Sequence, residues 1–212
     1  MKNLTLMFIV FLFAVSIKAQ SQYQETMAES IAEIETAKTM DEYLDLSNRF
    51  LRIAEAEPKE WLPEYYASYC TVMQSFSIED NKEKDKLLNS AMEIINKAEA
   101  KSKDNTEILV LKAFVLQMQI SIDPMTRGMK YGMEADRLIT KAIELNPGNP
   151  RPYMLRAESQ FYTPEQFGGG KAKAKVNFEK AIERYKTFVP ESSIHPNWGK
   201  KEAEDMLEKC KL

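Results

Sequence analysis

Cysteine, histidine and glycine are scarce in this 212-residue chain, and each scarcity removes a class of protein. Two cysteines, Cys70 and Cys210, are too few to frame a small fold with disulfides. Nor are they expected to pair with each other, because Cys70 falls in an apolar helical stretch and Cys210 lies two residues from the end. With His195 as the single histidine, the ligands for a zinc centre of the usual nitrogen–sulfur kind are missing. Seven glycines, three of them in Gly168–Gly170, and almost no alternation of β-branched residues argue against strands and hairpin turns. Basic excess is lacking as well. Twenty-nine Lys and Arg face 32 Asp and Glu, so no patch suited to nucleic acid or to an anionic lipid surface is expected.

The one long hydrophobic run is at the start. Lys2, the apolar stretch from Leu4 to Val15, and the small residues leading to Ala19 have the order of a secretory signal peptide, with cleavage after Ala19. The run is short of the roughly 20 residues that span a bilayer. Ile17 and Lys18 suit a cleavage site poorly, which keeps an uncleaved anchor as the alternative. No cysteine follows the run, so the chain does not read as a lipoprotein. Cleavage would remove Lys2 and Lys18 from the 29 basic residues and none of the 32 acidic ones, for a net charge of −5. Residues 20–212 are then expected to form one soluble domain, periplasmic or secreted, with no integral membrane span.

Past that leader, apolar residues recur at the helical period. Met27, Ile31 and Ile34 form one stripe, and Leu46, Phe50 and Ile53 another that closes at Pro58. Thr39 with Glu42, and Asp104 with Glu107, have capping-box spacing. The stretch from Ile108 to Ile120 is apolar on nearly every side and reads as a central, buried helix. A loop is expected around Asp123, Pro124 and Gly128. Asn149-Pro150 reads as an N-cap and first turn, Lys171 to Phe188 as the eighth helix, and His195 to Lys211 as the ninth.

The helices repeat. Leu46/Phe50/Ile53, Ala91/Ile95/Ala98, Ala135/Ile139/Ala142 and Ala174/Phe178/Ala181 share a spacing of four and then three. Ile53 to Ser68, Ala98 to Ala113 and Ala142 to Ala157 are each fifteen residues apart. Faces built on alanine let a second helix approach closely. The triplets, the closing Pro147 and the small residues Ala113 and Ala157 resemble the tetratricopeptide repeat family, whose units pair two helices. That resemblance implies an all-α solenoid of about four helical hairpins with a C-terminal capping helix. It also implies a concave groove lined by the first helix of each unit. The units here are 45, 44 and 39 residues apart, longer than the family's repeat, and the excess falls between the two helices of a unit. Lengthened turns on one edge are therefore expected. Lys112 and Arg156 stand where the family places Leu.

Transferred by register, the groove positions are Tyr65, Tyr69, Val110, Phe114, Gln117, Arg151, Met154, Glu158 and Phe161. Each also has a plain reading as core between helix layers. A catalytic histidine needs a nucleophile and an orienting acid held beside it, and His195, in the loop before the last helix, reads instead as a surface residue. Gly168-Gly169-Gly170-Lys171 lacks the Gly at 165 and the Ser or Thr at 172 of a phosphate loop, so it reads as a turn, with Phe167 tucked beneath it. Acidic residues sit among lysines on outer faces. The expectation is therefore a non-enzymatic scaffold without cofactor or metal that binds an envelope protein or peptide. A homo-oligomeric assembly protein, such as a homodimer, is the alternative, and a hydrolase using loop acids such as Asp123 and Glu165 a remote one.

Overall fold

The computed structural model describes residues 20–211, so the expected signal peptide lies outside the described residues. Among them every regular element is helical. The helices are α1 (20–34), α2 (Met40–Ala56), α3 (Leu62–Gln74), α4 (Asn81–Lys101) and α5 (Thr106–Ile122). They continue as α6 (Pro124–Leu145), α7 (Arg151–Tyr162), α8 (Lys171–Tyr185) and α9 (Lys200–Lys211). Single 3-10 turns follow α3 and α7. None of these helices is long and apolar enough to cross a membrane.

Local chemistry explains where they begin. Thr39 and Glu42 close a capping box: the Thr39 hydroxyl accepts from the Glu42 amide at 3.2 Å, and the Glu42 carboxylate accepts from the Thr39 amide at 2.9 Å. The cap of α5 is Asn105, whose side chain accepts from the Glu107 and Ile108 amides. Asp104 takes no part in it: its backbone is left-handed, at φ 56°, and its carboxylate pairs with Lys141. The expected loop at Gly128 is instead helix. Asp123 caps α6, and Pro124 supplies a first-turn residue whose missing N–H costs nothing there. The added length of the second and third units is thus extra helix in α4 and α6, of 21 and 22 residues, joined to α5 by a single residue in the third unit. Two further boundaries shift. Asn149 lies one residue before the α7 cap, and α8 stops at Tyr185 while α9 starts only at Lys200.

The hairpins stack in chain order, with α3, α5 and α7 side by side as an inner layer and α9 packed on α8. The small residues that define the repeat lie where helices meet. Ser68 donates to the Ala91 carbonyl at 2.8 Å, and Ala113, Ala135, Ala157 and Ala174 are buried in one cluster. Phe178 and Ile139 are fully buried in that cluster and Phe50 and Ile95 in a neighbouring one, each contributing about 1.5–3 kcal/mol by leaving water. The residues that break the family pattern make bonds between helices. Lys112 pairs with Glu99 at 2.7 Å, and Arg156 of α7 bonds Thr140 and Asp136 of α6.

Candidate functional site

The fourteen residues between α8 and α9 include no α-helix, and they run back over the inner layer. Proline at 190 and 196 removes two backbone donors, and Gly199 has a φ of 98°. A side chain at Gly199 would run into the Tyr185 hydroxyl and the Met154 sulfur, so glycine alone allows this approach. Four anchors hold the segment. The Tyr66 hydroxyl donates to the Ile194 carbonyl at 3.0 Å, Tyr185 to the Trp198 carbonyl at 2.9 Å, and Arg151 to the Pro196 carbonyl. The Trp198 indole donates to the Tyr65 hydroxyl at 2.8 Å.

Arg151 is the pin of this arrangement. Its side chain is 0% exposed, with the guanidinium over the rings of Phe188 and Trp198 and 3.4 Å from the Glu107 carboxylate. Glu107 also accepts from Asn149 at 2.8 Å, and burial pushes its carboxyl upward against the pull of Arg151. Burial holds Tyr65 well above the usual phenol range, so the Tyr65–Trp198 bond joins two neutral groups.

With Trp198 fixed, four rings make a continuous floor. Tyr69 and Trp198 lie 5.3 Å apart by centroid, Trp198 and Phe114 6.1 Å at 29°, and Phe114 and Phe76 6.4 Å. Separations of 4.5–7 Å are those of favourable aromatic pairs. Tyr69, Phe114 and Trp198 are half-buried and Phe76 is 56% exposed, so the floor keeps open ring surface. Phe161 packs on the same core cluster as Phe114 and Trp198, and its ring meets edge-on that of Tyr162, which is 74% exposed. Glu158 stands on the same helix, half-buried, and burial together with Glu202 pushes its carboxyl up to about 8.

Of the nine register-derived residues, the structure gathers Tyr65, Tyr69, Phe114 and Arg151 around Trp198. Val110 is fully buried in the core, and Met154 lies beneath Gly199. Gln117 bridges α5 to α7 by donating to the Leu155 carbonyl at 3.0 Å. Trp198 and Phe76 were not among the nine. Pro196 and Gly199 around Trp198 signal a non-helical approach, whereas nothing in the sequence marks Phe76. Phe167 does not tuck under its turn; it is 74% exposed.

His195 also departs from its surface reading. It is half-buried at the edge of a cavity of about 500 Å³ lined by Trp61, Phe188, Asn105, Glu107 and Glu191. Its Nδ1 is 2.8 Å from the Ser192 hydroxyl and its Nε2 3.3 Å from Glu191, while burial lowers its basicity. Asp104, Glu107 and Glu191 border the cavity, and among the described residues no Lys or Arg lines it. Asp123 is occupied in capping α6, and neither it nor Glu165 lines this cavity.

Stacked helical hairpins with an aromatic floor on the inner layer define an all-helical, repeat-like protein. No known family profile matches the chain, and no curated protein matches it. Among solved structures it is similar to the HusA haemophore from Porphyromonas gingivalis, at 35% identity and a TM-score of 0.80, over 89% of this chain and 92% of that one. The chain belongs to the family of that haemophore. This relationship overturns the expected protein-interaction scaffold, together with its assembly and hydrolase alternatives, because the related protein is a carrier of a small ligand. The geometry gives the physical reason. The chain's own Ile194–Trp198 segment covers part of the inner face that a peptide was expected to fill.

Proposed function

We propose that the protein is a non-catalytic haem-binding carrier that holds the flat face of a porphyrin against the Tyr69–Trp198–Phe114–Phe76 floor. The 35% identity to a haemophore over nearly the whole chain carries this reading. A planar, largely apolar macrocycle suits a floor of open aromatic rings, where stacking and burial supply the affinity. Binding would rest on the ring face more than on the iron. Burial holds the Tyr69 phenol well above its ordinary range, which disfavours the phenolate that would ligate iron. The edge cavity is the poorer fit for a porphyrin, since three carboxyls, Asp104, Glu107 and Glu191, line it and the bases nearest to them, Lys141 and Arg151, are already paired with Asp104 and Glu107. We read the architecture as one tetratricopeptide-like domain over residues 20–212, exported by the leader at 1–19 to the envelope or beyond.

The test is titration of the protein with haemin and with iron-free protoporphyrin, followed by the Soret band and by tryptophan fluorescence. Both ligands should bind saturably. Phe76→Ala and Phe114→Ala should each weaken binding about tenfold or more, as buried aromatic contacts do at an interface, and His195→Ala should leave it unchanged. Failure of both ligands to saturate, or full binding by the Phe76→Ala/Phe114→Ala double variant, would overturn the proposal.

A further inference from the structure

The edge cavity of about 500 Å³ shares no lining residue with the aromatic floor, and its walls combine two chemistries. Trp61, Phe188 and Val189 supply an apolar side. The Trp61 ring is half-buried and braced by the rings of Tyr65 and His195, with centroids 5.7 and 5.8 Å away. Three carboxyls, Asp104, Glu107 and Glu191, supply the charge.

Pairing decides the sign of that charge. Asp104 is matched by Lys141 and Glu107 by Arg151, the latter at 3.4 Å, and neither base lines the cavity. Among the described residues Glu191 has only the His195 imidazole, 3.3 Å away, and burial makes that ring less basic than usual. One carboxylate of the three is thus left without a cation. Glu107 adds an unused acceptor, since its Oε2 is buried and accepts no hydrogen bond among the described residues. An anion finds no such counterpart. The N-terminus of α5 borders the cavity and would ordinarily attract one, but the Asn105 side chain already occupies the Glu107 and Ile108 amides. Pro190 and Pro196 bring no backbone N–H to the wall.

We propose that this cavity is a second binding site, for an organic cation with an apolar stem: an alkylguanidinium or alkylammonium group, free or carried on an Arg or Lys side chain. The stem leaves water against Trp61, Phe188 and Val189, and the head sits among the carboxyls with the indole adding cation–π attraction. The carboxyls that disfavour the propionates of a porphyrin favour this ligand, so charge sorts the occupants of the two sites. The inference is independent of what the floor binds.

Butylguanidinium and butylurea have nearly the same shape and differ by one charge. Each is titrated into the isotope-labelled chain while the indole N–H signal of Trp61, identified by its loss in Trp61→Phe, is followed by NMR. Butylguanidinium should shift that signal saturably and bind about tenfold or more tighter than butylurea. Glu191→Gln, at an exposed position, should weaken it about two- to fivefold. Asp104→Asn with Glu191→Gln should weaken it about tenfold, and asparagine accepts the left-handed backbone at 104. Glu179→Gln removes a carboxylate outside the cavity and should change nothing. A capped Gly-Arg-Gly peptide that binds tighter than butylguanidinium assigns the cation to a protein side chain, and one that binds more weakly assigns it to a free small ligand; both support the site. Equal binding of the urea and the guanidinium, full affinity in the double variant, or no saturable shift of the Trp61 signal overturns it, whatever the porphyrin titration shows.

Discussion

The indole of Trp198 donates to the hydroxyl of Tyr65 at 2.8 Å, joining residues 133 apart in the chain. That bond ties the segment before α9 to the inner face of α3 and sets the plane of the ring on which the aromatic floor is built. Tyr65→Phe removes the acceptor and leaves the indole N–H unpaired, at a cost of about 1–3 kcal/mol. Trp198→Ala also removes the ring and should cost about 3–5 kcal/mol. Denaturant melts measure both. Equal stability of Tyr65→Phe and the wild-type chain would show that the bond does not hold the segment.

Arg151 and Glu107 form a buried pair in which neither member tolerates loss of the other. Arg151→Met leaves Glu107 buried without its cation and should destabilise the fold by about 3–5 kcal/mol. Adding Glu107→Gln removes the orphaned charge and should recover part of the loss. A double variant no more stable than Arg151→Met in thermal melts would mean that the contacts of Arg151 with Phe188, Trp198 and Pro196 carry the whole effect.

Stability should also report the Glu158 carboxyl. Folding raises it from an ordinary 4.5 to about 8, so the folded chain binds more protons than the unfolded one between those values. This contribution to stability is complete below about 4.5, falls as pH rises to about 8 and is level above that. Glu158→Gln cannot ionise and lacks the decline. At pH ~9 it should exceed the wild type by roughly 2–4 kcal/mol, with the gap closing near pH ~4. Glu107 and Glu202 are raised in the same direction and slope both proteins alike, so the difference between the two melts isolates Glu158.

The two thiols should react differently. Cys70 is fully buried, and burial drives its thiol far above the usual range; Cys210 is partly exposed and unpaired. A thiol reagent should modify Cys210 in the native chain and Cys70 only on unfolding, giving one fast thiol and then two. Two fast thiols would contradict the packing of α3.

Gly128 and Gly132 lie within α6, where a methyl group at either would meet nothing within 4 Å. Alanine at each should stabilise the helix by about 0.5–1 kcal/mol, read as a higher melting temperature. Gly199→Ala should act in the opposite direction, since its φ of 98° and its contact with Tyr185 exclude a side chain.

How much of this was legible in the residues depends on the range of the interactions concerned. Helical period, the Thr39–Glu42 box and the four-then-three alanine spacing act within a few turns, and they already declared an all-helical stack with Ser68, Ala113 and Ala157 at its close contacts. Other boundaries needed the neighbours. Asp104, with a left-handed backbone, stands one residue before the cap that Asn105 supplies, and Gly128 lies in a helix because the apolar face of α6 has α5 to pack on, which outweighs the propensity cost of glycine.

The groove divides in the same way. Register alone pointed to Tyr69, Phe114, Glu158 and Phe161, since residues on one face of each inner helix share a direction whatever lies opposite. Trp198 reaches them through a segment whose path has no period, and Phe76 lies just past the end of α3. No local rule brings a residue 133 positions away against Tyr65; only the folded stack presents the hydroxyl, the guanidinium and the open rings at once. The residues by themselves determined the helices and their repeat. Tertiary structure decided which part of the inner face the chain covers itself and which part stays open, because that depends on bonds between side chains that meet only after the helices have packed.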